Sequence, residues 1–151
     1  MTDPSPDNLA PQIPHRGRMH WLDHARMEDG AVLATRTLTA DHPFLRDGVL
    51  PRAALIEMLS QAAACEAAHA ASANGAHVHQ GMLVAIRDFV FTEGAPLPRA
   101  GDTLILLARR EKSLGPLTQC VVQAQIAGKT LAQGRMTFHL TVESPPINPD
   151  P

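Results

Sequence analysis

Only two cysteines occur in 151 residues, Cys65 and Cys120. Nothing in that number marks a disulfide framework, and both read as buried thiols. Neither sign of charge is in excess. Thirteen Lys and Arg stand against 15 Asp and Glu, a formal net charge of −2, so there is no electrostatic case for nucleic acid as a partner. No apolar run is long enough to span a membrane. The opening Met-Thr-Asp-Pro-Ser-Pro-Asp has neither a basic region nor an apolar stretch and does not read as a signal peptide. A soluble cytoplasmic protein is the expectation. What is present is 44% hydrophobic and 19% charged, a globular composition at a length that suits one domain with a single core.

Glycine and proline are missing from one long stretch. Between Pro51 and Asn74 lie ten alanines and no helix breaker, which predicts a helix over Pro51–Ala73. Pro51 suits the first helical position and Asn74-Gly75 a left-handed cap. Leu55, Ile56, Met58, Leu59 and the alanines predict burial of most of its circumference. Glu57 and Gln61 are the polar exceptions near its start, one turn apart on the same face.

Around this helix the chain reads as strands. Trp21–Met27 and Ala31–Thr39 flank Asp29-Gly30, a hairpin signal. In the second of them Val32, Ala34, Arg36 and Leu38 share one face. Residues 41–50 form a loop before the helix and residues 74–80 a connection after it. Met82–Phe91, Thr103–Lys112, Thr118–Ala127 and Thr130–Val142 are the remaining strands, separated by Gly- and Pro-bearing turns. A sheet wrapped around a central helix satisfies this order, because the helix then buries nearly all its faces. Residues 1–12 read as a flexible N-terminal arm, 13–142 as one domain and 143–151 as a tail.

Four stretches carry a resemblance to a known family. Ile13-Pro14-His15-Arg16 with Leu22-Asp23, the helix start Pro51 to Gln61 with Glu57 and Gln61 in register, Gly81 to Phe91, and Ala95 to Leu104 together resemble the hotdog-fold 3-hydroxyacyl-ACP dehydratases. The likeness covers about Ile13 to Leu140. The family's G-H-F-P segment, with its catalytic histidine, is absent between Leu45 and Val49, and Arg52 replaces the family's glycine. A shortened loop of this kind resembles the dehydratase-like proteins of aryl polyene pigment clusters.

The resemblance implies an α+β hotdog fold and activity on acyl thioesters in fatty acid or polyene biosynthesis. It implies no cofactor beyond the phosphopantetheine of an acyl carrier protein. The partners expected are that carrier protein and a paired assembly: a homodimer, a higher even-numbered oligomer, or a heterodimer with an active dehydratase. Removing water from a 3-hydroxyacyl thioester needs a base for the Cα proton, an acid for the leaving hydroxyl and a donor for the enolate-like oxygen. Helix-start amides can be the donor. Glu57 is expected as the acid, protonated because burial among Leu and Met raises its pKa. His15 is the first candidate base, against the competing reading of a structural histidine bonding loop backbone. His42 is the alternative base, against that of an exposed loop histidine. Pro14, Pro51, Arg52, Gln61, Ala85 and Ile86 are expected along the substrate.

The pairs His20/His24 and His77/His79 lack a Cys or carboxylate partner at ligand spacing, so no metal site is expected. Arg109, Arg110 and Lys112 read as a solvated strand end that could also meet an acidic carrier. Two further functions stay open: a hotdog thioesterase in which Glu57 activates water, and a non-catalytic acyl-binding partner of an active dehydratase.

Overall fold

Asp29 and Gly30 both take positive φ, 49° and 76°, making the tight turn whose twist matches the flanking strands. They join β1 (His24–Glu28) to β2 (Ala31–Thr37). The computed structural model describes residues 7–143. After β2 the chain loops into α1 (Ala54–Ala73) and returns through β3 (His77–Phe91), β4 (Thr103–Leu114), β5 (Leu117–Ile126) and β6 (Lys129–Glu143). The strands form one antiparallel sheet in the order β1-β2-β4-β5-β6-β3. It curls around α1, which packs against every strand. This is the α+β hotdog arrangement.

The core sits between the concave face of the sheet and the helix. Leu104, Leu106 and Ala108 of β4 and Cys120, Val122 and Ala124 of β5 alternate inward, opposite Leu55, Met58, Leu59 and Ala62. Alternation with period two puts each strand's apolar set on one face, and the alanines let the sheet come close to the helix. Each fully buried Leu or Met contributes about 1.5–3 kcal/mol. Both cysteines are free and buried, and desolvation pushes each thiol up to about 12. The helix ends as its sequence predicts. Gly75 takes φ 69°, its N–H bonds the Ser72 carbonyl at 3.0 Å, and the Ala76 N–H bonds the Ala71 carbonyl at 2.9 Å, a Schellman closure.

Several expectations are corrected. The helix begins at Ala54, not Pro51, because residues 51–53 form a tighter turn: the N–H groups of Ala54, Leu55 and Ile56 bond the carbonyls of Pro51, Arg52 and Ala53. The first strand begins at His24, since the Trp21 N–H is taken by Gln61 of the helix and Asp23 meets β2 through its side chain as well as its N–H. β3 begins at His77 because the Schellman closure leaves the chain already extended beside β6, with His77 opposite Glu143 and Val78 opposite Val142. Residues 8–12 are not a loose arm. Leu9 and Ala10 are buried, the Leu9 N–H bonds the Ala25 carbonyl at 2.7 Å, and Asn8 Oδ1 accepts from Ala10 N and Ala25 N at 3.0 and 2.9 Å. The rest of the expected arm (1–6) and the tail from 144 lie outside the described residues. Arg110 is no solvated strand end: it grips the buried carboxylate of Glu66 through Nε and Nη2 at 3.0–3.1 Å.

Candidate active site

Gln61 is fully buried on α1, and its carboxamide is the hub of the site. Nε2 donates to the Met19 carbonyl at 2.8 Å and to Glu57 Oε1 at 2.9 Å, while Oε1 accepts the Trp21 N–H at 2.8 Å. A single side chain thus clamps the segment from Ile13 to Leu22 onto the helix. That segment is held in shape by Trp21 Nε1–H on the Arg18 carbonyl at 2.7 Å and by Arg16, which bonds the Ile13 and His15 carbonyls. The clamp delivers His15 to the helix: its Nε2 lies 3.2 Å from Glu57 Oε1. Glu57 and Gln61 meet because residues four apart on a helix share a face.

Glu57 differs from its expected state. Its side chain keeps 36% exposure. The hydrogen bond from His15 is the largest influence and holds the carboxyl below its ordinary range, helped by Gln61 and opposed by desolvation. The helix therefore carries a carboxylate, not the protonated acid that full burial would have given. With Glu57 ionised, His15 Nε2 carries the hydrogen of their contact. Its Nδ1 is buried without a partner.

Two cavities meet at His15. One, of about 210 Å³, runs along α1 between Ile56, Glu57, Ala63 and Ala67 on the helix and Leu83 and Phe138 on the sheet. From Glu57 to Ala68 the helix rises about 16 Å, so this cavity suits an extended apolar chain. The other is an open bowl of about 480 Å³ lined by His15, Arg16, Arg18, Arg36, Asp41 and His42, among others. Pro14 lines the first cavity.

The remaining candidates are placed elsewhere. His42 is buried, not an exposed loop histidine, and stacks edge-on against Trp21 with ring centroids 4.9 Å apart. Its Nδ1 accepts the Phe44 N–H at 3.3 Å, and desolvation, then Arg36, lower its pKa. With its Nδ1 lone pair taken, the ring offers an Nε2–H, an arrangement that favours donation over the role of base. Pro51 and Arg52 are exposed at the turn before α1 and line neither cavity. The first three amides of α1 are occupied, so the free donors at the helix start reduce to the N–H groups of Arg52 and Ala53, which have no backbone acceptor among the described residues. Ala85 and Ile86 also line neither cavity. Val78, Gly81 and Leu83 take that place on β3, and the first two were missed because β3 starts five residues earlier than its apolar run. Among the described residues no group of three or more His, Cys, Asp or Glu could hold a metal ion. No helix among them is long and apolar enough to cross a membrane.

The profile of the ApeP-like family, described as ApeP dehydratase, matches residues 8–144. No curated protein matches the chain. Among solved structures, the dehydratase heterocomplex ApeI:P from Xenorhabdus doucetiae superposes with a TM-score of 0.77 at 24% identity, over 89% of this chain and 91% of that one. A hypothetical thioesterase with coenzyme A from Streptococcus pneumoniae gives 0.59 at 13% identity, over 80% and 85%. The E. coli PaaI protein from the phenylacetic acid degradation operon gives 0.54 at 20%, over 77% and 76%. At these identities the structural likeness is one of fold.

Proposed function

This chain belongs to the ApeP-like dehydratase family and is a dehydratase-like protein of polyene biosynthesis, and on that premise we propose that it removes water from a 3-hydroxyacyl thioester, with His15 and Glu57 as its working pair. The observation that carries this reading is the 3.2 Å contact between them at the start of the apolar cavity. The acyl chain occupies the cavity along α1, between Pro14 and the sheet. The Cα proton passes to His15 Nδ1, and Glu57 orients the ring and stabilises the imidazolium that forms. The Cβ–O bond then breaks, the imidazolium returns the proton to the departing hydroxyl, and water leaves with the imidazole restored. Glu57 is thereby the orienting carboxylate and no longer the acid. The substrate arrives on the phosphopantetheine of an acyl carrier protein, and the chain needs no cofactor of its own.

Pairing is part of the proposal. β3 is a sheet edge whose Met82, Val84, Ile86 and Val90 are 41–56% exposed. A long apolar edge of this kind invites another strand. The Xenorhabdus relative is a dehydratase heterocomplex, which favours an active dehydratase on this edge over a second copy of the chain. The test is turnover of 3-hydroxyacyl-carrier thioesters, followed as enoyl product, by the chain alone and with such a partner. His15→Ala should slow it at least ~100-fold. No turnover in either setting sinks the catalytic reading and leaves an acyl-binding subunit.

A further inference from the structure

Three buried side-chain nitrogens among the described residues have no hydrogen-bond partner: His15 Nδ1, Arg36 Nε and His42 Nε2. All three residues line the same cavity, the open bowl. Buried donors are almost always paired, and each exception needs a reason. The bowl is the side from which a missing acceptor can reach Arg36 Nε and His42 Nε2, while His15 Nδ1 beside them is a lone pair, its ring proton lying on Nε2 toward Glu57.

The chemistry of that acceptor follows from the donors. The Phe44 N–H holds His42 Nδ1 as an acceptor, so the ring proton sits on Nε2. Arg36 is on the inward face of β2 and spends Nη1 on Asp23 Oδ1 at 3.0 Å. Its Nε–H is left over, and a guanidinium can only donate. Arg16 and Arg18 stand on the wall around them. Of the two carboxylates in the lining, Asp23 is engaged by Arg36 and by the Thr37 N–H at 2.7 Å, and Asp41 lies at the exposed rim. The bowl is thus rich in donors and net positive.

We propose that the bowl is a binding site for an oxyanion, a phosphate or carboxylate group, received by His42 Nε2–H and Arg36 Nε–H beside His15. A planar or tetrahedral oxyanion offers two oxygens to two such donors. His15 is a wall of both cavities, so an anion here lies next to whatever fills the apolar one. The site rests on the bowl alone and stands whether or not the chain dehydrates thioesters.

The full chain, labelled with 15N, is titrated with inorganic phosphate and separately with acetate while the imidazole nitrogens are followed by NMR. The expected result is a saturable shift at His42 and His15 that leaves the exposed His79 and His139 unmoved. His42→Phe and Arg36→Lys should each weaken binding at least tenfold. His42→Gln, which keeps an N–H donor in a buried position, should retain it and controls for a folding defect. Decanoate separates the sources of the anion. Tighter binding than acetate, abolished by Ala67→Phe, marks an anion carried on a chain in the apolar cavity. Equal affinities mark a free anion, and both results support the site. A linear shift shared by all histidines, or a His42→Phe variant that titrates like wild type, overturns it and leaves the bowl to water or to a residue of a paired subunit.

Discussion

Glu57 and Gln61 show how two residues one turn apart acquire different duties from their depth. Gln61 has no exposure and all three of its hydrogen bonds are internal. Gln61→Ala would leave the Trp21 N–H and the Met19 carbonyl without this partner. The expected cost is about 3 kcal/mol, measured by urea unfolding, with His15 released from the helix as well. Glu57 is shallower and answers to pH. Because its pKa is lowered on folding, its contribution is present at neutral pH and lost as the solution falls through the carboxyl's folded value. Glu57→Gln removes that dependence. Its stability should fall less than that of wild type between pH 6 and the acid range (roughly pH 3, below the ordinary carboxylate value), as read by thermal melts. The same variant should lose turnover while still binding acyl chains. A variant as active as wild type would remove Glu57 from the site.

Between elements, the strongest polar tie runs from α1 to β4. Glu66 is buried, and Arg110 closes on it with three bonds while reaching Ser113 Oγ at 3.3 Å. Arg110→Ala should cost about 3 kcal/mol, because it strands a buried carboxylate. A second tie is steric. Gly134 of β6 lies under Phe89 of β3, where an added Cβ would sit 2.6 Å from the Phe89 Cα. The register slips there, between Arg87 and Val90. Gly134→Ala should therefore destabilise the protein by about 1–3 kcal/mol. Gly81→Ala is the control, since its Cβ would meet only the end of the Leu140 side chain at 3.3 Å and that side chain can turn aside. Equal effects in denaturant titrations would refute the steric account.

At the scale of the molecule, the prediction concerns assembly. One edge of the sheet, β1, is short, and the other, β3, is 15 residues long and apolar. Met82→Lys combined with Val84→Lys places two charges on that edge, the device by which edge strands avoid pairing. Light scattering should then report a single-chain mass where the unaltered chain, alone or with a dehydratase partner, gives a paired one. A paired mass that survives both lysines would move the interface off β3.

The sequence by itself determined most of the architecture. The alanine-rich stretch ended by Asn74-Gly75 could only be a buried helix, and the alternation of Val32, Ala34, Arg36 and Leu38, like that of Cys120, Val122 and Ala124, already marked the inward faces. These are local properties: propensity, period and turn chemistry act over a few neighbours. Glu57, Gln61 and His15 were legible as candidates, but only the tertiary structure made them a site. His15 lies 42 positions from Glu57 in sequence, and the Gln61 clamp that joins them is a long-range contact that no periodicity encodes. The ionisation of Glu57 was misjudged for the same reason, since burial was foreseeable from the apolar helix and the opposing hydrogen bond was not. Arg36 was visible on an apolar face with no reason given for it. The fold supplied one by bringing it to the bowl that His15 and His42 share.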